Sequence, residues 1–502
     1  MNKISSVYPF IILALLATAC APLKQYRTMI SGPSCNLSDS NGRNECASRS
    51  FYSIVGEPSQ SARELVHGEA GEISRAKERF VHADLAIFEF DDLGHTFSEE
   101  QYQLTLGALR DLVDRSKSTL LVLFAHGWKN NAHAENQNLI DFENMLIDVA
   151  AIDQFACGGG SCSDRRVVGV YLGWRGLSAT LQPFRELSFY NRKARAHLVG
   201  TQGAARLIAD LRNVQADAET NDDNRLVLIG HSFGGAIIYS ATHQQLTSAL
   251  ARVDENGTVD RNVADAILLI NPAFEAAQYT TLFQAAAGQE FRGRHRPLLA
   301  SFTSEADNAT KRYFPLGRAL STVFTKHTSS RQMISNRRAI GHFDDYVSHH
   351  LLNTEKSTNP NDLASLVDTW ERFQNGCIDE WAVGGFALRR TYRDSPAQIA
   401  NPFMNVKVAE EMIEDHNQIW SREFARFLYA FIAVQESKRA SNGCFLAHVC
   451  LGEHCSSDSF PWSCELLDRR DRLVEGKLDP ASNEDRLILD NWCQGKFGTG
   501  IE

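Results

Sequence analysis

A small polar residue lies where the chain must turn sharply between two apolar runs. The stretch RLVLIGHSFGGAIIYSA, residues 225–241, places Ser232 after a short apolar run and before a longer one. The first run is typical of a buried strand and the second of a helix. Its centre, GHSFG, matches the pattern G-x-S-x-G, in which glycines allow a strained strand-to-helix turn that exposes the serine. This context predicts a nucleophilic Ser232 at a helix N-terminus, with a capping serine in an ordinary tight turn as the alternative.

The elements around this turn alternate between strand and helix patterns over residues 83–437. Strand candidates are ADLAIFEF, TLLVLFAHG, RVVGVYLGW, RLVLIG, DAILLINP, RPLLASFTS and MNVKV, and helical patterns separate most of them. Apolar strands that alternate with amphipathic helices predict a mainly parallel sheet with helices on both faces, an α/β fold. In such sheets the active site lies at the carboxyl ends of the strands, where Ser232 is expected. Residues 311–400 interrupt the alternation and are predicted to be an insertion between two strands.

These ordered motifs resemble the α/β-hydrolase superfamily of serine hydrolases. The resemblance rests on GHSFG and on FAHGWKNNA, which follows the strand at 119–125, and it extends over residues 83–437. It implies an oxyanion hole made by the backbone N–H groups of Phe233 and Trp128, with Gly127 as the alternative to Trp128. Loss of one such donor commonly raises the barrier by about 3 kcal/mol.

The same resemblance implies an acid after the second strand that follows the nucleophile, and then a histidine. The acid falls in EADNAT, where Asp307 is preferred and Glu305 is the alternate. The base is expected between the last strand, MNVKV, and the closing helix, which favours His416. His349, in AIGHFDDYVSHHLL, is the alternate base.

The implied function is cleavage of carboxylic esters, of a small molecule or a lipid, through an acyl-enzyme on Ser232. A thioesterase or peptidase would use the same residues, and an inactive binding or scaffolding protein on this fold is a further alternative. This mechanism needs no metal, and no cofactor is expected, since the chain has no G-x-G-x-x-G after its early strands and no P-loop that would imply a nucleotide. A net charge of −10 without a Lys/Arg-rich run makes nucleic acid a poor candidate for a partner.

The first twenty residues are predicted to be an export signal that is separate from the fold. Lys3 precedes an apolar run too short to span a bilayer, and LLATAC ends in small residues directly before Cys20. This ending resembles a bacterial lipoprotein signal, which implies lipidation of Cys20. The chain is then expected to be anchored in the cell envelope, at the outer membrane on its periplasmic or surface side. A plain secretory signal is the alternative.

The cysteines indicate an oxidising compartment and a separate C-terminal segment. Without Cys20, ten of the eleven remain, which fits disulfides, with Cys35–Cys46 and Cys157–Cys162 as plausible local pairs. Five lie within residues 438–502, predicted to be a disulfide-stapled extension; zinc ligation there is the weaker alternative. Residues 21–82 read as a polar N-terminal extension.

Overall fold

A computed structural model describes residues 21–436 with several internal gaps. The gaps are residues 33, 38–39, 68–79, 157–164, 179–183, 218–223, 255–256, 290, 292–295, 355–362, 375–377, 384 and 392–400. The predictions for the signal segment with Cys20, for the pair Cys157–Cys162 and for the extension at 438–502 therefore lie outside the described residues.

Twelve strands of the described chain form one sheet. They are β1 (Cys35–Asn36), β2 (Phe51–Gly56), β3 (Val81–Phe90), β4 (Ser118–Ala125), β5 (Arg165–Trp174), β6 (Arg225–His231), β7 (Ala266–Ile270), β8 (Leu299–Ser304), β9 (His349–Asn353), β10 (Glu380–Val383), β11 (Phe386–Arg390) and β12 (Phe403–Val408). Their order across the sheet is β1-β2-β3-β5-β4-β6-β7-β8-β12-β9-β11-β10. The eight strands from β3 to β9 in this order are parallel. At one edge β2 is antiparallel to β3 and parallel to β1, and at the other β11 is antiparallel to both β9 and β10.

Helices cover both faces of this sheet. They are α1 (Ser40–Cys46), α2 (Gln60–His67), α3 (Glu99–Arg115), α4 (Gln137–Ala156), α5 (Phe184–Val199), α6 (Ala205–Asp217), α7 (Phe233–Leu250), α8 (Ala276–Ala287), α9 (Phe314–Ser321), α10 (Ser330–Arg337), α11 (Leu363–Gln374) and α12 (Arg422–Glu436). A single π-helical turn, Gly200–Ala204, joins α5 to α6, and a second, Ala309–Tyr313, precedes α9. None of the helices in the described ranges is long and apolar enough to cross a membrane.

The apolar runs that predict the strands are buried on both sides because successive side chains point to opposite faces. In β4, Leu120, Val122 and Phe124 belong to one core cluster, together with residues of α2, α4, α11 and α12. Leu121 and Leu123 belong to the other, together with residues of α3, α5, α6, α7 and α8. This two-layered core gives the expected α/β fold, a mainly parallel sheet between two layers of helices.

The sheet extends beyond the strands that the sequence pattern indicates. Strand β2, within the segment interpreted as a polar extension, pairs with β3 and buries alternate residues, so the folded unit begins before residue 83. Residues 311–400 lie between β8 and β12, which are neighbours in the sheet. They contribute α9 to α11 and three strands, β9 to β11, that continue the same sheet on the far side of β12.

The predicted disulfide Cys35–Cys46 is present, with Cα atoms 6.2 Å apart. Both cysteines are almost fully buried, at 1% and 3% exposure. The bridge ties β1 to α1 and so fixes the loop that leads into β2.

Candidate active site

Ser232 occupies a strained turn between β6 and α7. Its backbone has φ 57° and ψ −117°, a region that residues with a side chain rarely adopt. The turn is held by β7, since the N–H of Ser232 donates to the carbonyl of Ile270 at 3.0 Å. A Cβ on Gly230 would come within 2.6 Å of the Gly234 carbonyl oxygen, and one on Gly234 would overlap the carbonyl of Ala125. The two glycines of GHSFG are therefore required by close backbone contacts.

Three side chains that are far apart in the sequence form one hydrogen-bonded chain. Nε2 of His416 lies 2.7 Å from Oγ of Ser232. Nδ1 of the same ring lies 2.8 Å from Oδ2 of Asp307. Ser232 follows β6, Asp307 follows β8 and His416 follows β12, so all three lie at the carboxyl edge of the parallel strands. The structure thus brings together the three residues that the sequence predicts as nucleophile, acid and base.

Asp307 is completely buried, yet it is kept ionised. Burial raises the pKa of its carboxyl, but the adjacent His416 and the hydrogen bonds from His416 and Thr310 outweigh this effect and lower the pKa to about 2. Thr310 donates its hydroxyl to Oδ2 and its backbone N–H to Oδ1, the latter at 3.0 Å. The Thr310 hydroxyl also lies 3.0 Å from Nε2 of His342. A buried carboxylate with this many donors can orient and stabilise a protonated imidazole.

The loop that carries His416 is fixed by two other side chains. The backbone carbonyl of His416 accepts hydrogen bonds from Nε2 of His231 at 2.8 Å and from Nδ2 of Asn271 at 3.1 Å. Asn271 in turn accepts from the N–H of Ser304 at 2.9 Å, which links the loop to the end of β8. Burial, and then the neighbouring His416, lower the pKa of His231 to about 3, so His231 is neutral near pH 7.

The loop after β4 places backbone N–H groups beside Ser232. A Cβ built on Gly127 would lie 2.8 Å from Cβ of Ser232, so this loop contacts the serine directly. Neither Phe233 nor Trp128 donates its backbone N–H to any residue that the structure describes, and the same is true of Gly127. These N–H groups remain available for an oxygen atom of a ligand.

His126 has a structural role in this loop. Its ring is fully buried, with Nδ1 3.0 Å from the Gly127 carbonyl and Nε2 accepting from the N–H of Trp174 at 3.2 Å. Burial lowers the pKa of His126 to about 4. The ring is stacked on Trp174, with centroids 5.7 Å apart. These contacts fix the path of the chain from β4 into the segment that faces Ser232.

Aromatic side chains surround the N-terminus of α7. Phe189 of α5 packs against Phe233 with ring centroids 4.7 Å apart and against Trp128 at 5.4 Å. The indole Nε1 of Trp128 is buried and has no hydrogen-bond partner among the residues that the structure describes. This apolar group next to the free N–H donors is suited to the hydrocarbon part of a ligand.

The alternate residues from the sequence do not contact this chain of hydrogen bonds. His349 lies in β9 with Nδ1 2.8 Å from the Ser348 hydroxyl, and burial, followed by nearby Arg390, lowers its pKa to about 3. Glu305 is exposed on the turn after β8. The choices of Asp307 over Glu305 and of His416 over His349 agree with this geometry.

Sequence analysis misses three residues that support the site, namely Thr310, His231 and Asn271. His231 occupies the variable position before Ser232 in G-x-S-x-G, and Asn271 lies near the end of the predicted strand DAILLINP, so the sequence indicates that both lie at the ends of strands. The sequence does not indicate their hydrogen-bond partners, because each binds an atom that the fold brings from another segment of the chain. Within the described ranges, no group of three or more His, Cys, Asp or Glu side chains is arranged to hold a metal ion.

A separate cavity of about 180 Å³ is lined in part by residues 129–132 of the loop after β4. Residues of the N-terminal segment, including Lys24 and Tyr26, line it together with Glu89 and Trp174. Ser232, Asp307 and His416 do not line this cavity, so it is distinct from the candidate site.

Comparison with known proteins agrees with this fold. A model of the alpha/beta hydrolase family matches residues 122–430, more than half of the chain, and this range contains Ser232, Asp307 and His416. No curated protein matches the sequence. A solved structure of an inhibited esterase B from Lactobacillus rhamnosis is 11% identical over 55% of this chain and 72% of that chain, with a TM-score of 0.19, too low to support any argument. On its match to the family model, the chain belongs to the alpha/beta hydrolase family.

Proposed function

We propose that this hydrolase is a serine hydrolase that cleaves carboxylic esters through an acyl-enzyme intermediate. The observation that carries the proposal is the continuous chain from Ser232 Oγ through His416 to Asp307, with distances of 2.7 and 2.8 Å. These distances fall within the range in which a base can take a proton from a nucleophile. An ionised acid that is buried behind the histidine favours the ring tautomer that this transfer needs.

In the proposed reaction, Oγ of Ser232 attacks the carbonyl carbon of the ester while Nε2 of His416 takes the hydroxyl proton. The Asp307 carboxylate, bonded to Nδ1–H, stabilises the imidazolium. The tetrahedral intermediate then expels the alcohol, which receives the proton from His416 and leaves the acyl group on Ser232. Water attacks this acyl group, with His416 again as the base, so that the acid is released and Ser232 is restored.

The negative charge of the tetrahedral intermediate requires donors that are already oriented. The backbone N–H groups of Phe233 and Trp128 are proposed for this role, with Gly127 as the alternative to Trp128. Their lack of another partner in the described chain and their place beside Ser232 support the assignment. Phe233 also begins α7, whose 18 residues contribute a positive dipole end at this position.

The ester class is favoured by the apolar surroundings of the donors. Phe189, Phe233 and Trp128 form an aromatic wall that suits the acyl or alkyl part of an ester. A thioester or a peptide would be attacked in the same way, so activity on matched oxygen esters, thioesters and amides distinguishes these substrates.

The test is covalent labelling of the purified chain with a fluorophosphonate, which reacts with an activated serine. We expect wild type to label, Ser232→Ala to remain unlabelled and His416→Ala to label at least a hundredfold more slowly. His349→Ala removes another buried histidine and serves as the matched control, with near wild-type labelling. Folded wild type that does not react would overturn the proposal and favour a binding protein.

We also propose that Cys20 is lipidated and anchors the chain to a membrane of the cell envelope. The residue that follows it, Ala21, is buried against the folded domain: its N–H donates to the Ser178 carbonyl at 2.9 Å, and its carbonyl accepts from Arg175. A chain cleaved before Cys20 would therefore carry its lipid directly on the folded domain. Mass spectrometry of the chain from native membranes should show an acylated N-terminal cysteine; an unmodified terminus would contradict this proposal.

A further inference from the structure

A strip of apolar side chains is exposed to solvent directly after the candidate acid. Its members are Tyr313, Leu316, Leu320, Val323 and Phe324, with exposures of 65%, 64%, 77%, 64% and 98%. These are the five most exposed large apolar side chains among the described residues. We call them the 313–324 strip. A contiguous apolar surface of this kind usually marks a site of interaction.

The strip results from the orientation of α9. Tyr313, Leu316 and Leu320 recur at helical spacing and lie on its outer side, while Phe314 and Gly317 are buried on its inner side. The helix is fixed in this orientation, since Arg318 forms an ion pair with Glu275 at 2.6 Å and Glu275 also binds Lys193 of α5. Tyr313, Leu316 and Leu320 therefore face outward while the inner side of α9 is fixed to the domain, and Val323 and Phe324 follow the end of the helix.

Positively charged residues flank the strip in the sequence. Residues 308–343 contain seven Lys or Arg residues and no Asp or Glu, in a chain whose net charge is −10. Exposed cations among them are Lys311, Arg312, Lys326, Arg331 and Arg338. Arg331 pairs with Asp345, whereas Arg312 and Lys326 have no carboxylate partner in the described part of the chain. The segment thus combines outward apolar side chains with unneutralised cations.

From this combination we infer that the 313–324 strip and its surrounding cations bind the surface of an anionic phospholipid bilayer. A helix that lies in such a surface buries an apolar side between the headgroups while Lys and Arg contact the anionic lipids. A second copy of the chain is a poorer occupant, because a symmetric contact would oppose two cationic surfaces. The charge of the segment therefore selects an anionic partner, and its apolar strip requires one that accepts hydrocarbon.

The position of the strip connects it to the candidate site. The π-helical turn that leads into α9 contains Thr310, which binds both carboxylate oxygens of Asp307. Helix α5 also connects to Ala21, the residue after Cys20. Its Arg192 binds Asp92, and Asp92 also binds Arg175, whose guanidinium donates to the Ala21 carbonyl. A lipid at Cys20 and the 313–324 strip would thus provide two membrane contacts on parts of the chain that both connect to α5. Two such contacts stabilise membrane binding much more than one.

The test is sedimentation of the unlipidated chain with vesicles. The chain from Ala21 to Glu502, which contains every described residue, is mixed with vesicles of pure phosphatidylcholine or of phosphatidylcholine with one-third phosphatidylglycerol. We expect binding to the anionic vesicles, at least tenfold weaker binding to the neutral ones, and a decrease in binding as salt is raised. Two double variants should each weaken binding to anionic vesicles at least tenfold. Leu320→Ser/Phe324→Ser removes apolar side chains of the strip, and Arg312→Glu/Lys326→Glu reverses two of its cations.

The matched control is the double variant Leu104→Ser/Arg110→Glu on α3, which removes an exposed apolar residue and an exposed cation elsewhere. It should bind like wild type, and thermal unfolding checks that all three variants are folded. Absence of binding by wild type, or equal loss in the α3 control, would overturn the inference. A chain that dimerises through Leu320 and Phe324 in sedimentation velocity without binding vesicles would also overturn it, in favour of a second copy.

This inference does not depend on the proposed function, because vesicle binding requires no catalysis. Fluorophosphonate labelling of Ser232 in the same samples separates the two. Normal labelling with no vesicle binding would overturn only the inference of a membrane-binding surface. Vesicle binding without labelling would overturn only the proposal that the chain is a serine hydrolase.

Discussion

The side chain of His231 holds the backbone of His416, with Nε2 2.8 Å from the His416 carbonyl oxygen. The residue immediately before the proposed nucleophile thus fixes the loop that carries the proposed base. The rings of the two histidines lie 5.1 Å apart, and Asn271 binds the same carbonyl. The distance between Ser232 and His416 is therefore set by a backbone contact in addition to their own hydrogen bond.

Removal of this contact should impair turnover more than binding. We expect His231→Ala to lower kcat on a soluble ester about 10- to 100-fold with little change in KM, because the loop of His416 loses a donor and the reacting groups are displaced. His231→Gln keeps an N–H donor and should restore most of the activity. Steady-state kinetics measures both effects.

The control for this prediction is His349→Ala, which removes another buried histidine without touching His416. It should reduce thermal stability without changing kcat. If His231→Ala and His231→Gln lose activity equally, the hydrogen bond to the His416 carbonyl is not what positions the base.

Replacement of the buried acid should abolish most of the activity. Asp307→Asn keeps the shape of the side chain but places an amide against Nδ1 of His416, so the ring loses the tautomer that accepts the Ser232 proton. We expect kcat to fall by about 10³- to 10⁴-fold. Glu305→Gln, on the exposed turn nearby, is the matched control and should remain near wild type. Similar losses in the two variants would argue against Asp307 as the acid.

Gly234 should be required for activity and stability, whereas Gly107 should be replaceable. Gly234→Ala would place a Cβ on the Ala125 carbonyl and displace the turn of Ser232, so we expect loss of labelling and a lower melting temperature. Gly107 lies in α3, and a Cβ there would meet no atom within 4 Å. Gly107→Ala should therefore stabilise the fold by about 0.5–1 kcal/mol. Calorimetry distinguishes the two, and a fully active Gly234→Ala would refute the close contact.

The sequence predicts the central sheet because its parallel strands are continuous apolar runs, such as β4 and β6, that only a two-sided core can bury. It does not reveal β2, whose six residues are buried alternately and lie in a polar context, or the short strands β9 to β11. Their burial depends on β3 and β12, which are distant in the chain.

The residues of the candidate site also divide into those that the sequence predicts and those that it does not. The order of motifs predicts Ser232, Asp307 and His416, since each follows a recognisable strand. Thr310 and Asn271 are ordinary loop residues until the fold sets them against Asp307 and the His416 carbonyl. The apolar residues of α9 are equally ambiguous, because the spacing of Leu316 and Leu320 indicates one helix face but does not say whether it is buried.

The disulfide should stabilise the N-terminal part of the sheet. Cys35 and Cys46 are separated by 11 residues, and closing a loop of that length stabilises a fold by about 2–3 kcal/mol. We expect the free energy of unfolding of Cys35→Ser/Cys46→Ser, measured in denaturant, to be lower by that amount, with labelling of Ser232 unchanged, since the bridge lies away from the site. Reductant should lower the stability of wild type and leave the double variant unaffected; equal sensitivity would show that the bridge does not form.

Acid should destabilise wild type more than Asp307→Asn. The pKa of Asp307 is about 2 in the folded chain and 3.8 as its ordinary value, so its ionised form favours folding at every pH above 3.8. That contribution, about 2 kcal/mol, is lost as the pH falls from about 4 to 2. The free energy of unfolding, measured in urea at pH 6 and near pH 3, should therefore decrease further for wild type than for Asp307→Asn. Parallel decreases in the two proteins would mean that the folded environment does not stabilise the charge of Asp307.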